Sequence, residues 1–271
     1  MKSRILLALA VMTFALAACG GGDTSITLPS DGDAPVLQVR SEGGFTMPEA
    51  LLNRPPRFTL LADGRLIYDG PVIAIYPGPL LPNLQQVTLT NDEMEEVLAM
   101  IAEMGMPQIV EESDDSNANF IADATTEVLT YWDREGPHVY SAYALGLGDS
   151  AESRTTAFRG LVELLDGFTA SRSSVEYQSV RVQIYASISY GAPDPEFVDV
   201  REWPLAESPE TFDIPTDNWG CRVFDDPSIL DAFSDATQVT EWSQPSPDGD
   251  SQNVRLLVRP LLPGEEGCIQ R

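Results

Sequence analysis

Apolar and polar positions alternate in two short runs, Arg57-Phe58-Thr59-Leu60-Leu61 and Leu66-Ile67-Tyr68, with Ala62-Asp63-Gly64-Arg65 between them. Asp-Gly at such a break predicts a β-hairpin, because both central residues of a type I′ turn take positive φ. The next run, Tyr76-Pro77-Gly78-Pro79-Leu80-Leu81-Pro82, is apolar but carries three prolines, which cannot donate to a sheet ladder; it reads as an extended covering loop. At Thr90 the period lengthens. Thr90-x-x-Glu93 is a capping box, Met94, Val97, Leu98 and Ile101 fall on one helical face, and Gly105 lies just past the end. A second hairpin runs from Glu127 to Asp133, turns through Arg134-Glu135-Gly136 and returns from His138 to Leu145. A second helix, capped by Asp149 or Ser150 and stopped by Gly167, carries the stripe Phe158, Leu161, Val162 and Leu165.

Beyond a polar stretch at 169–176 the pattern starts again. Val180, Val182, Ile184, Ala186 and Ile188 alternate as in a half-buried strand, and Phe197 to Trp203 predicts another. Asp226-Pro227 opens a helix containing Ile229, Leu230 and Phe233. Gln238 to Trp242 and Asn253 to Arg259 pair as a hairpin across Ser246 to Asp250. The expectation is an α+β fold: antiparallel sheets with helices packed on one face, in a domain over 36–168, a connector over 169–176 and a second domain over 177–271. The similar element order suggests two related halves.

The first 22 residues change the picture from fold to location. Lys2 and Arg4 precede an apolar run from Ile5 to Leu16, and Ala17-Ala18-Cys19 is followed by three glycines. A basic start, an apolar middle and small residues at the end make a signal peptide over 1–18. Small residues directly before a cysteine resemble the lipobox of bacterial lipoproteins. The resemblance implies that Cys19 carries diacylglyceryl and acyl (palmitate-type) chains as the mature N-terminus. An ordinary secretory signal or an uncleaved membrane helix is the alternative, although the run is shorter than the roughly 20 apolar residues a span needs. Residues 19–35 hold Gly, Ser, Thr, Asp and Pro with few large apolar side chains, and read as a tether spanning roughly 20 to 25 Å. The expected location is a bacterial cell membrane, lipid-anchored, on the extracytoplasmic side.

Charge narrows the partners. Sixteen basic residues face 42 acidic ones, and removal of residues 1–18 takes away Lys2 and Arg4, leaving 14 arginines, no lysine and a formal net charge of −28. The lack of lysine excludes Schiff-base chemistry, a phosphate-loop lysine and Ser-Lys nucleophile pairs. So negative a surface repels phosphate backbones, so nucleic acid is not an expected partner. With Cys19 assigned to lipid, Cys221 and Cys268 remain as the intramolecular pair of an exported chain; two free thiols are the alternative.

Four stretches, Gly43-Gly44-Phe45, Pro56-x-Phe58-x-Leu60-x-x-Asp63-Gly64-Arg65-x-Ile67, Tyr76-Pro77-Gly78-Pro79 and Asp123-Ala124-Thr125-Thr126, resemble a family of uncharacterised secreted lipoproteins from bacteria, largely high-GC actinobacteria. The resemblance covers mainly residues 36–170. It implies fold and address, and no activity.

Candidate chemistry is sparse. Asp115-x-Asn117-x-Asn119, with Asp123 four residues on, imitates the ligand ladder of a calcium loop, but Phe120 stands where an EF-hand needs glycine and Glu127 is one place late; calcium is the one cofactor this pattern admits. Gly146-x-Gly148-x-x-Ala151 matches a dinucleotide turn, yet follows a hairpin strand rather than a buried parallel one. His138 is the sole histidine, placed beside a turn with no GxSxG elbow in the chain, and reads as a surface imidazole. Trp203, Trp219 and Trp242 offer either a carbohydrate-stacking platform or core, and Tyr76 to Pro82 either a partner-binding ridge or a packed loop. The reading this supports is a lipid-anchored, non-enzymatic binding or interaction module with an envelope protein or glycan partner. The alternatives are an exported hydrolase using paired carboxylates on glycans and a calcium-dependent surface binding protein.

Overall fold

The computed structural model describes residues 28–148, 152–189, 199–216, 219–245 and 251–268. The chain folds as α+β, with two sheets. The first is built from β1 (Pro35–Gly43), β2 (Phe58–Leu61), β3 (Arg65–Asp69), β4 (Leu84–Thr88), β5 (Glu111–Asp114), β6 (Thr125–Trp132), β7 (Pro137–Tyr143) and β8 (Val175–Glu176), in the order β5-β7-β6-β1-β2-β3-β4-β8. The second holds β9 (Arg181–Ser189), β10 (Asp199–Glu202), β11 (Asp213–Thr216), β12 (Trp219–Phe224), β13 (Thr240–Pro245) and β14 (Ser251–Leu261), in the order β10-β13-β14-β9-β12-β11. The helices are α1 (Pro48–Asn53), α2 (Asn91–Glu103) and α3 (Ser153–Ala170).

Both sheets are antiparallel except at one edge, where β5 runs parallel to β7 and β10 parallel to β13. A parallel neighbour needs a long connection rather than a tight turn, and neither pair is adjacent in sequence. Strand directions read across the sheets from those edges are the same: two parallel strands, then alternation. The chain visits them in different orders, so the likeness of the halves lies in the sheets and not in the path.

The first patterned hairpin forms, though not through the expected type I′ turn: Gly64 takes φ +87° but Asp63 does not take positive φ, and a Cβ at Gly64 would sit 3.1 Å from the Leu89 carbonyl oxygen. The capping box of α2 is closed in both directions: Thr90 Oγ1 accepts from the Glu93 amide at 3.4 Å, and the Thr90 amide donates to Glu93 Oε2 at 2.7 Å. Asp226 Oδ1 accepts from the Ser228 amide at 3.0 Å, but the helix it caps, Pro227–Phe233, is a 3-10 helix.

Other elements depart from expectation. The proposed caps of α3, Asp149 and Ser150, lie outside the described residues; the cap is Glu152, whose carboxylate accepts from the Arg154 amide. That helix also runs through Gly167 to Ala170, since an interior glycine costs only about 1 kcal/mol and Phe168 beyond it packs on the core. Residues 28–34, read as the end of the tether, are seated on the body: Leu28 packs against the core and the Gly32 carbonyl accepts from the Asp63 amide at 3.2 Å. In the stretch read as a connector, Val175–Glu176 extends the first sheet beyond β4. Arg172 donates to the Thr88 carbonyl oxygen at 2.9 Å and pairs with Glu93.

One face of the first sheet (Leu37, Val39, Phe58, Leu60, Leu129, Tyr140) packs against α2 and α3 through Val97, Ile101, Phe158 and Leu161. The second sheet buries both faces, each with help from the first half. On one, Val182, Ile184, Trp242, Val254 and Val258 meet Phe233, Phe212 and Leu80, the last carried on the proline-rich loop. That loop is tied down by Leu80 N–H to Ala236 O and Gln238 N–H to Gly78 O, both 2.9 Å. On the other, Tyr185, Trp219 and Cys221 pack against Leu52 of α1. The exchange is mutual, because Leu262 joins Leu61, Ile67 and Leu84 on the first sheet.

Cys221 and Cys268 form a disulfide with Cα atoms 5.5 Å apart, closing the C-terminal segment onto β12. In the chain-entropy treatment a loop of this length is worth about 4 kcal/mol. Cys221→Ser/Cys268→Ser is expected to lower unfolding free energy by about that amount in a urea titration. An unchanged midpoint would mean that the core and Gln183, whose Oε1 accepts from the Cys268 amide at 2.8 Å, hold the segment without the bond.

Candidate functional site

Strand direction sorts the loops of the first sheet onto two rims. β1, β3, β5 and β7 all point the same way, so the segments that follow them share one rim. That rim holds most of the large apolar side chains the described residues leave in water. After β1 come Phe45, 91% exposed, and Met47; after β3, Val72, Ile73, Ile75 and Tyr76, the last 84% exposed. After β5 comes Phe120, 86% exposed, and after β7, Leu147. Three of the loops are bonded together. The Phe45 amide donates to the Asp123 carbonyl at 3.1 Å, the Tyr143 hydroxyl donates to the Ile121 carbonyl at 3.0 Å, and the Ala124 amide donates to the Tyr143 oxygen at 3.1 Å. Gly148, at φ +86°, lies against Asn117, whose Oδ1 would be 3.1 Å from a Cβ.

The four positions of the calcium-like ladder lie on this rim. Asn117 is buried, whereas Asp115, Asn119 and Asp123 are exposed. The loop is shaped by its own backbone: the Asn117 carbonyl accepts from the Phe120 and Ile121 amides at 3.0 Å, and Asp123 adopts φ 59°. Neighbouring Asp114 turns inward, its Oδ2 accepting from Thr155 Oγ1 at 2.5 Å. Among the described residues no three His, Cys, Asp or Glu side chains are grouped to hold a metal ion.

Several sequence candidates turn out to be interior. Trp242 and Trp219 are buried on opposite faces of the second sheet, and Trp203 donates to the Glu207 carbonyl beside Phe212, so the three do not form one platform. Of the proline-rich stretch Tyr76 is exposed and Leu80 is core. Gly146 and Gly148 both take positive φ, while Ala151 and the lipidation residue Cys19 lie outside the described residues.

His138 is buried rather than superficial. β7 carries it beneath the β6–β7 turn, where it stacks on Tyr131 with ring centroids 5.7 Å apart. Its Nδ1–H donates to the Ile109 carbonyl, and Nε2 lies 2.9 Å from Asp133 Oδ2. Burial pulls the imidazole pKa down, but the Ile109 carbonyl and the Asp133 carboxylate outweigh it and the net direction is up. Burial likewise raises the Asp133 carboxyl, and the bond to His138 overrides it downward. The ring joins the β6–β7 turn, the sheet and the segment that leads into β5.

A cleft of about 850 Å³ opens at the seam between the halves. Its walls are Gln38, Arg40 and Glu42 of β1, Leu51 and Arg54 around α1, and Gly264 to Cys268. Of its carboxylates, Glu42 pairs with Arg40 at 2.7 Å, Glu265 receives both terminal Arg259 nitrogens at 2.8 Å plus the Leu262 amide, and Glu266 is exposed. The first of those pairs is solvated; the second is nearly buried and fixes the C-terminal turn. Sequence reading missed this cleft because its walls come from residues more than 200 positions apart.

No known protein family, curated protein or solved structure matches this chain.

The raised His138 pKa has a definite sign in stability. Protonated imidazole is favoured in the folded state, so its contribution is full below the ordinary value of 6.5 and is lost as pH rises through the raised value. The urea midpoint is expected to fall from pH 6 to pH 8, and the fall to shrink in His138→Gln; parallel profiles would remove His138 as the cause. Calcium at millimolar concentration is expected to leave the thermal midpoint unchanged, since three of the four ladder side chains point to solvent. A rise abolished by Asp115→Ala would assign the loop as a calcium site.

Proposed function

We propose that this chain is a lipid-anchored protein of the bacterial cell envelope, facing the extracytoplasmic side, and that its two-sheet body is a binding module rather than an enzyme. The observation that carries this reading is the placement of the chain's entry. Residues 28–34 run beside the β2–β3 turn, where Asp33 pairs with Arg65 and the Ala34 carbonyl accepts from the Ala62 amide at 3.0 Å. That turn is on the rim opposite the apolar loops. A tether from Cys19 therefore reaches the body at its polar end and leaves the apolar end directed away from the attachment point. Loops held on a rigid sheet are the usual carriers of recognition.

The hydrolase alternative needs two carboxylates free to divide acid and base work. Of the three carboxylates lining the seam cleft, Glu42 and Glu265 are each held by an arginine, which leaves Glu266 for work that needs two and weighs toward binding. Two or more acyl chains give stable attachment where one is marginal. The address is tested by Cys19→Ser: the wild-type chain is expected in the membrane fraction with palmitate label, and the variant in the soluble fraction without it. A variant that stays membrane-bound and a wild type that takes no label would overturn the anchor.

A further inference from the structure

We propose that the apolar rim of the first sheet is a docking surface for a protein partner whose contact face is both apolar and basic. The inference rests on the binding-module reading and supplies the chemistry of its partner. The rim spans the ends of strands β5 to β3, five interstrand spacings or about 24 Å. That is the breadth of a standard interface of about 800 Å² per partner. Scattered exposed apolar residues need no explanation, but eight gathered at one end of a sheet do. The opposite rim turns through Asp63-Gly64 and Asp133 to Gly136, which are polar, and its exposed large apolar side chains are Val110 and Val175.

Charge selects the partner. The rim segments 43–47, 69–76, 115–124 and 144–148 contain Asp69, Asp115 and Asp123 and no arginine, and the arginines further along the β1–β2 connection are engaged elsewhere, Arg54 with the Ser41 carbonyl and Arg57 with Asp166. A matching surface presents apolar side chains flanked by arginine or lysine. A second copy of the chain would bring carboxylates against carboxylates. An anionic bilayer would be repelled for the same reason, and the chain's own membrane attachment enters at the other rim.

The test uses the full chain carrying Cys19→Ser and two synthetic amphipathic helical peptides, one of leucine and arginine, the other of leucine and glutamate. The arginine peptide is expected to bind and the glutamate peptide not to. Phe45→Ser/Phe120→Ser/Leu147→Ser and, separately, Ile73→Ser/Ile75→Ser are each expected to weaken the arginine peptide about tenfold or more, with the thermal midpoint unchanged because these side chains are solvated. Asp115→Asn/Asp123→Asn is expected to reduce the salt dependence of binding. Equal affinity in wild type and both rim variants would overturn the proposal, assigning any binding to the general negative charge. Rim-dependent binding to phosphatidylcholine vesicles would overturn it in favour of a lipid surface, and rim-dependent dimerisation in sedimentation would overturn it in favour of a second copy. Hydrolysis of muropeptides, read in a separate assay, would overturn the binding-module reading instead, so the two failures are distinguishable.

Discussion

The body is organised by a sheet that cannot cover its own faces. Strands β9 and β14 bury side chains on both sides, yet between β9 and the C-terminus the described chain supplies only short 3-10 helices as cover. The missing apolar surface comes from residues more than a hundred positions earlier, Leu52 on one face and Leu80 on the other. Gln183, nearly fully buried, finishes the seam by donating to the Leu52 carbonyl at 3.4 Å while accepting from Cys268. The second sheet thus completes its cover with residues of the first half, whereas the core under α2 and α3 draws its buried side chains from Val36 to Leu165 alone.

What was legible in the sequence followed from local rules. The Asp63-Gly64 hairpin, the Thr90–Glu93 box and the β6–β7 pair each draw on neighbours close in sequence, and the structure has them where periodicity puts them. β1 was not legible, although it is the strand on which the first sheet is centred. Val36, Leu37, Gln38 and Val39 are all buried, so alternation fails where both faces are covered, and the polar residues before it resemble linker. β12 was hidden for a related reason: Trp219 and Cys221 pack against Leu52 of α1, a long-range partner that no local window contains.

The site was less legible than the fold. His138 beside a turn looks superficial in sequence, but the Ile109 carbonyl that buries it arrives from a separate element. The rim emerges only once strand directions are known, because Phe45, Ile73, Phe120 and Leu147 share no spacing and are brought to one rim solely by the parity of the strands before them. The seam cleft is likewise a product of the C-terminal turn returning to β1, fixed there by the Arg259–Glu265 pair.

The edge strands described above have one more consequence. The first sheet ends on β5, with the sequence Glu-Glu-Ser-Asp, and on β8, two residues long; the second ends on β10, Asp-Val-Arg-Glu, and β11, Asp-Ile-Pro-Thr. Short, charged or proline-bearing margins give a passing chain no run of free amides and carbonyls to pair with. Fibril-like growth by strand addition is thereby closed off at each margin of both sheets, and a protein crowded among copies of itself can keep a greasy tip in water without its backbone joining theirs.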